Sequence, residues 1–118
     1  MRKAETNLGD FCSDALRVMT NADISFVNGG GIRAPMASGE ITFNDIFSVF
    51  PFNNQIVTAE ISGQILLDFL EMAVMNYPEE DGSFPHMSGM VNNTCNAKYA
   101  FTQKCNARCS SVALYQIA

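Results

Sequence analysis

Apolar and polar positions follow two different periods along this chain, and these periods predict helices and strands in succession. One apolar stripe with the spacing i, i+3, i+4, i+7 predicts a helix from Glu5 to Met19. The mainly apolar run Ile24-Ser25-Phe26-Val27 predicts a short buried strand. A second strand is predicted from Gln55 to Ile61, and a second long helix from Ser62 to about Tyr77. The two helical stripes consist of Leu8, Phe11, Cys12, Ala15, Leu16 and Met19, and of Ile65, Leu66, Phe69, Leu70, Ala73 and Tyr77.

Residues that supply caps mark the ends of these helices. Thr6 or Asn7 can accept a hydrogen bond from the first turn of the first helix, and Asn21 can end it. Between the two strands, Thr42-Phe43-Asn44-Asp45 has an acid three residues after a threonine, as in a capping box. This motif predicts a short helix that Pro51 stops. Its inner face is predicted to consist of Ile46, Val49 and Phe50.

The element order α-β-α-β-α predicts an α+β fold, with too few strands to distinguish a parallel from an antiparallel sheet. A loop is predicted at Pro78 and through Glu79-Glu80-Asp81-Gly82, and the segment around His86 is predicted to be a loop as well. Beyond Met90, only Ser111 to Ile117 has the composition of a strand.

Length and charge exclude several classes of protein. With 118 residues, the chain is at most one domain. Its net charge of −5 argues against general nucleic-acid binding, which requires a basic face. No apolar run reaches the roughly 18 residues of a membrane span. The basic start of the chain is not followed by an apolar segment, so we expect no signal peptide here.

The last part of the chain differs in composition from the rest. Between Ala34 and Ala97 there are eight acids and no Lys or Arg, whereas from Gly82 onward there is no acid at all. Three of the four cysteines (Cys95, Cys105 and Cys109) also lie near the end, and their pairing is left open. We therefore predict two regions, a domain over residues 1–90 and a divergent or truncated tail over residues 91–118.

The segment Val27-Asn28-Gly29-Gly30-Gly31-Ile32-Arg33 carries the clearest indication of function. Three consecutive glycines have no Cβ, so the backbone there can take positive φ and a ligand can approach closely. Asn28 and Arg33 flank these glycines and can contact an anion or a planar heterocycle. The segment therefore favours a phosphorylated small molecule as ligand.

Other catalytic and cofactor chemistries are not supported. The one histidine, His86, is most simply an exposed or hydrogen-bonded loop residue, and no nucleophile-elbow pattern accompanies it. Gly29-x-Gly31-x-x-Ala34 matches the letters of a dinucleotide fingerprint, but Pro35 interrupts the helix that such a site needs. The late cysteines lack zinc-site spacing, and Cys12 fits the core. We expect no catalytic residue and no metal ligand in this chain.

Phe52 and Asn54 follow the short helix and admit two interpretations. Phe52 is either a hydrophobic plug or a stacking face for a planar base. In the second case, Asn54 would supply a donor and an acceptor beside the base.

Four motifs occur in order along the chain: Arg2-Lys3-Ala4-Glu5-Thr6-Asn7-Leu8-Gly9-Asp10, Asn28-Gly29-Gly30-Gly31-Ile32-Arg33, Gly39-Glu40-Ile41-Thr42 and Pro51-Phe52-Asn53-Asn54. Together they resemble the C-terminal domain of the 5′-nucleotidase family, which also includes UDP-sugar hydrolases, cyclic-nucleotide phosphodiesterases and secreted apyrases. A looser similarity runs through Gly82-Ser83-Phe84-Pro85-His86-Met87-Ser88-Gly89. The resemblance covers about Arg2 to Met90 and implies part of a four-layer α/β/β/α domain, incomplete at its C-terminal end.

The resemblance also implies roles for individual residues. Arg2 and Arg33 would contact phosphate and ribose, while Asn28 and Phe52 would bind the nucleobase with Asn54 as a helper. The glycine turn would contribute Gly30 and Gly31 to the same substrate site. A later Gly-Gly-Asp-Gly motif of the family, which adds a ribose contact and a second aromatic face, has no match after Met90.

The function implied by the resemblance is the nucleotide-binding part of a hydrolase that dephosphorylates nucleotides. Hydrolysis would require a divalent metal pair of the zinc or manganese type in a separate N-terminal metallophosphatase domain, so this chain's own status as an enzyme is left open. The location would be extracellular, periplasmic or at the cell surface. Two alternatives are a standalone non-catalytic nucleotide-binding module and a structural remnant without a ligand.

Overall fold

The computed structural model describes residues 1–90 together with the backbone of residues 112–116. These described residues form three α-helices and four β-strands, and a 3₁₀ turn follows the first strand. The helices are α1 (Asn7–Thr20), α2 (Phe43–Val49) and α3 (Gly63–Ala73). The strands are β1 (Ile24–Asn28), β2 (Gln55–Ala59), β3 (Pro85–Ser88) and β4 (Val112–Gln116), and the 3₁₀ turn spans Gly29–Gly31.

The four strands form one mixed sheet in the order β2-β4-β1-β3. Strands β1 and β4 are parallel, whereas β3 pairs antiparallel with β1 and β2 pairs antiparallel with β4. The predicted strand at Ser111–Ile117 is therefore confirmed, and it lies inside the sheet. The division of the chain at Met90 stays a prediction.

Strand β1 sends alternate side chains to opposite faces of the sheet, and helices cover both faces. Val27 packs on one side with a cluster that includes Cys12 and Leu16 of α1. Ile24 and Phe26 pack on the other side with Leu66 and Leu70 of α3. Phe26 and Phe69 meet edge to face, with ring centroids 5.1 Å apart. β1 is thus the buried centre of the fold, and its buried apolar composition follows from this position.

The predicted caps are confirmed. The Thr6 side chain accepts from the Gly9 backbone N–H at 3.3 Å, and Asn21 ends α1 in the left-handed region with φ of 51°. Thr42 and Asp45 form the reciprocal capping box that begins α2. These local hydrogen bonds satisfy backbone groups that a helix end otherwise leaves without partners.

Two predictions about the elements were wrong. The segment around His86 is not a loop, because residues Pro85–Ser88 pair with β1 as strand β3. Helix α3 ends at Ala73 rather than near Tyr77, and Tyr77 is exposed, as is Ile65. In both cases the local sequence pattern does not determine the secondary structure, because long-range strand pairing and the position of the sheet determine it.

The apolar stripe of α1 is only partly buried. Cys12 and Leu16 face the core, whereas Phe11 and Met19 are exposed. Ile46 of α2, predicted to face inward, is also exposed, while Val49 is fully buried. Between α1 and α2 lies an apolar groove of about 420 Å³, lined by Leu8, Phe11, Cys12, Ala15, Leu16, Met19, Val27, Met36, Ile46 and Phe50. None of the helices in the described part of the chain is long and apolar enough to cross a membrane.

Candidate nucleotide-binding site

The sheet register brings the predicted site residues to one end of the sheet. Val27 of β1 and Ile56 of β2 both pair with Tyr115 of β4, one on each side. The end of β1 at Asn28 and the start of β2 at Gln55 are therefore level and two strand spacings apart, which is about 10 Å. The glycine turn follows β1 and the Pro51–Asn54 loop precedes β2, so both segments lie at this end of the sheet.

The start of β3 lies at the same end, because Asn28 pairs with Pro85. The turn that precedes β3, Asp81–Phe84, contacts the glycine turn directly. The Gly29 backbone N–H donates to Phe84 O at 2.7 Å, and the Gly30 N–H donates to Gly82 O at 2.8 Å. The Asn28 side-chain Nδ2 also donates to Gly82 O, at 3.3 Å. Three segments that are distant in sequence thus converge on one site.

Close packing of the chain, and not positive φ, explains glycine at positions 29 and 30. The three glycines form a 3₁₀ turn and are buried, and the glycines with positive φ among the described residues are Gly39 and Gly89. A Cβ on Gly29 would lie 2.0 Å from Met1 O, and one on Gly30 would lie 3.1 Å from Gly82 Cα. This turn therefore does not use the positive φ that glycine allows. The contacts of Gly30 and Gly31 with a ligand stay a prediction.

The side chains of Arg33 and Phe52, both predicted site residues, contact each other. The Arg33 backbone N–H donates to Val49 O at 2.9 Å, which fixes the end of the glycine turn against the end of α2. The Arg33 guanidinium carbon lies 5.8 Å from the centroid of the Phe52 ring, within the range of a cation–π contact. Arg33 Nη1 donates to Gly30 O at 3.4 Å. The guanidinium therefore lies between the glycine turn and the aromatic ring.

Two amide groups at this end of the sheet have hydrogen-bonding capacity left over. Asn28 Oδ1 and Asn54 Nδ2 are buried, and neither has a partner in the described part of the structure. Burying a polar atom without a hydrogen-bond partner costs about 1–3 kcal/mol of stability, so these two atoms would gain from pairing with a ligand or water. One is an acceptor and the other is a donor. A nucleobase edge presents both kinds of group.

The N-terminal segment places Arg2 beside the Asp81–Phe84 turn. The Asp81 backbone N–H donates to Arg2 O at 2.9 Å. Hydrogen bonds from Ser83 and Asn76 lower the pKa of Asp81, and the positive charge of Arg2 contributes a smaller part. Arg2 thus adds positive charge next to the turn that contacts Asn28 and Gly30.

His86 is fully buried in β3, contrary to the expectation of an exposed loop residue. Its Nε2 lies 3.0 Å from Met1 O, so the expectation of a hydrogen-bonded residue was correct. Burial lowers the pKa of His86, and the hydrogen bond to Met1 opposes this shift only in part. Gly9 makes room for the ring, because a Cβ there would lie 2.1 Å from His86 Nδ1. His86 therefore holds the N-terminal segment in place.

Cys12 is buried in the first core cluster, as predicted. Burial raises the pKa of its thiol to about 11, so it is protonated at neutral pH. Cys95, Cys105 and Cys109 lie outside the described residues. Within the described part of the chain, no group of three or more His, Cys, Asp or Glu side chains is placed to hold a metal ion.

The sequence did not identify the Asp81–Phe84 turn as part of the site. This turn accepts hydrogen bonds from Asn28, Gly29 and Gly30, so it positions the residues that were predicted to bind the ligand. The available indication was the Asp81-Gly82 pair, which is typical of a turn, at the start of the looser family similarity.

Comparison with known proteins identifies the family to which this chain belongs. The family model of the 5′-nucleotidase C-terminal domain matches residues 1–113. The fold is similar to that of the 5′-nucleotidase precursor from Thermus thermophilus, with a TM-score of 0.81 and 25% identity over 97% of this chain. The chain therefore belongs to the 5′-nucleotidase C-terminal domain family, and the predicted α+β fold, part of such a domain, is confirmed.

Individual relatives support this assignment. The chain is 34% identical over 106 residues, 86% of its length, to the trifunctional nucleotide phosphoesterase protein YfkN of Bacillus subtilis. It is 33% identical over 90 residues, 76% of its length, to a 5′-nucleotidase of Vibrio parahaemolyticus. The chain spans only 7% and 16% of these two proteins, and 26% of the Thermus structure.

Proposed function

We propose that this chain is the nucleotide-binding part of a 5′-nucleotidase-type hydrolase. The observation that supports the proposal most directly is the contact between Arg33 and Phe52, whose guanidinium carbon and ring centroid are 5.8 Å apart. Asn28 Oδ1 and Asn54 Nδ2 are buried at the same end of the sheet and have hydrogen-bonding capacity for a base. Phosphate, base and base-edge contacts are thus available from neighbouring segments.

The charge of the site favours an anionic ligand. Within residues 1–90, the ion pair in the structure joins Lys3 to Glu80, so Arg33 has no carboxylate partner there. An exposed guanidinium without a carboxylate can bind a phosphate through two parallel hydrogen bonds. Arg2 adds a second positive charge near the same turn. In this proposal the two arginines contact phosphate and ribose, and Gly30 and Gly31 form the floor of the site.

Hydrolysis is assigned in this proposal to a metallophosphatase domain of the parent protein, with its divalent metal pair. This chain would supply substrate affinity and orientation rather than the reacting groups. By resemblance to the family, we also propose that the parent protein acts outside the cytoplasm, in the periplasm or at the cell surface. Fractionation of cells that express the parent protein tests this location.

The binding proposal is tested by titrating AMP into the 118-residue chain by calorimetry or ligand-observed NMR. We expect binding no tighter than high micromolar. Stacking of one base on an aromatic ring contributes about 1–3 kcal/mol, so Phe52→Ala should weaken binding by about 5- to 150-fold. Arg33→Ala should also weaken AMP binding, because a charge-assisted hydrogen bond is lost.

Phe43→Ala is a matched control, because Phe43 is also a phenylalanine and is 82% exposed on α2. It should leave AMP affinity unchanged. Unchanged affinity in both Phe52→Ala and Arg33→Ala would show that the site is assigned wrongly. Absence of AMP binding by the wild-type chain would refute the proposal and favour a structural role without a ligand.

A further inference from the structure

The contact between Arg33 and Phe52 joins the residue proposed to bind phosphate and the residue proposed to stack on the base. The guanidinium carbon is 5.8 Å from the ring centroid, so the cation covers a face of the ring. A nucleobase that stacks on the same face needs the space that the guanidinium occupies. Base and guanidinium therefore compete for Phe52 unless the guanidinium moves.

We propose that Arg33 covers the base-stacking face of Phe52 in the ligand-free chain and leaves it when a phosphate group binds the guanidinium. Arg33 would then determine specificity. The site would bind nucleotides more tightly than nucleosides and free bases, and this difference in affinity would be larger than the direct phosphate contact alone provides. This inference rests on the proposed function, since it concerns the same ligand and the same residues.

The contacts that hold Arg33 in the covering position are weak enough to exchange. Its Nη1 donates to Gly30 O at 3.4 Å, which is a long hydrogen bond, and the ring contact is at an exposed site. A phosphate offers the guanidinium shorter, charge-assisted hydrogen bonds. A nucleotide therefore replaces the ring contact with a stronger one, whereas a nucleoside displaces the cation without compensation.

The local backbone allows this exchange without any rearrangement of the fold. The Arg33 backbone N–H is held by Val49 O at 2.9 Å, and the preceding glycines are buried between neighbouring segments. The side chain beyond this anchored backbone is exposed and long, so it can change rotamer while the turn stays fixed. Phe52 itself is 42% exposed and accessible to a ligand.

The size of the effect follows from the strength of the contact that is exchanged. An exposed cation–π contact corresponds to about a two- to fivefold change in an equilibrium constant. Phosphate binding should therefore raise the affinity for adenosine by about this factor. By linkage, adenosine should raise the affinity for phosphate by the same factor.

The experiment measures adenosine and AMP binding to the full 118-residue chain, its Arg33→Ala variant and its Phe52→Leu variant. Arg33→Ala should bind adenosine about two- to fivefold more tightly than wild type, while it binds AMP more weakly. Adenosine binding to wild type should also tighten by this factor in the presence of saturating inorganic phosphate. Sodium chloride at matched ionic strength is the control, and neither variant should respond to phosphate.

The possible outcomes distinguish failure of this inference from failure of the proposed function. If Arg33→Ala binds adenosine more weakly, the guanidinium supports the base instead of competing with it, and the inference is wrong. If phosphate leaves adenosine binding to wild type unchanged, the inference is also wrong, although AMP binding would still support the proposed function. If neither AMP nor adenosine binds the wild-type chain, both proposals fail. Circular dichroism of the variants confirms that they are folded.

Discussion

Replacing Gly29 with alanine tests whether the glycine turn is shaped by the N-terminal segment. A Cβ at this position would lie 2.0 Å from Met1 O, 2.9 Å from Met1 C and 3.3 Å from Phe84 O. Ordinary contact begins at 3.4 Å, so the Met1 carbonyl must move by about 1.4 Å. Because Met1 O is the partner of His86 Nε2 at 3.0 Å, this movement breaks the hydrogen bond of a fully buried imidazole.

The cost has two parts. Overpacking of a well-packed site costs about 1–3 kcal/mol. Leaving a buried donor without a partner costs a further 1–3 kcal/mol or so. We therefore expect Gly29→Ala to lower the free energy of unfolding by about 2–6 kcal/mol, which is a large fraction of the stability of a small domain. Displacement of Met1 should also move Arg2 and weaken AMP binding.

Urea unfolding followed by circular dichroism measures the loss of stability, with Gly82→Ala as the matched control. A Cβ on Gly82 would lie 3.5 Å from Gly30 Cα, which is ordinary van der Waals contact in the same site. The control should change stability much less than Gly29→Ala. Equal unfolding midpoints for wild type, Gly29→Ala and Gly82→Ala would refute the reasoning about the N-terminal segment.

Three further predictions concern other parts of the molecule. Burial lowers the pKa of His86 below 6.5, so the unfolded chain binds the proton more readily and stability should fall as the pH drops below about 6.5. His86→Gln should remove this part of the pH dependence. Urea unfolding midpoints that change in parallel for the two proteins between pH 5 and 7.5 would contradict the prediction. Leu70→Ala should cost about 2–5 kcal/mol because Leu70 is fully buried in α3, whereas Ile65→Ala on the exposed side of the same helix should cost far less, both measured by urea unfolding. Cys12 should resist alkylation by iodoacetamide at pH 8 until the chain unfolds, because burial raises the pKa of its thiol to about 11. Mass spectrometry identifies the labelled cysteines, and rapid labelling of Cys12 in the folded chain would contradict its buried position.

The sequence predicted best those features that depend on neighbouring residues. Thr6, Asn21 and the Thr42–Asp45 box all act within a few positions of themselves, so their caps could be read directly. The strand at Ile24 was equally clear, since its apolar residues Ile24, Phe26 and Val27 need burial on both faces. Sequence motifs also identified Arg33 and Phe52, which the structure brings together.

Features that depend on distant segments could not be predicted from pattern alone. Strand β3 is short and contains Pro85 and His86, residues that local propensity assigns to a turn, and it is a strand because β1 pairs with it. The reason for glycine at positions 29 and 30 was likewise not visible, because it depends on the approach of Met1 and Gly82 from far along the chain. The orientation of the sheet required β4, whose partners are separated from it by more than 50 residues.

The sheet order also bears on how the site is completed during synthesis. Among the described strands, β2 is hydrogen-bonded to β4 alone, so within this part of the structure the strand that follows the Phe52 loop joins β1 through residues 112–116. The candidate ligand residues all leave the ribosome before this connecting strand. A nascent or truncated chain that stops short of Val112 would carry both Arg33 and Phe52 but would lack the backbone ladder that sets their separation. The site would then form only when β4, the last strand of the sheet, has been synthesised.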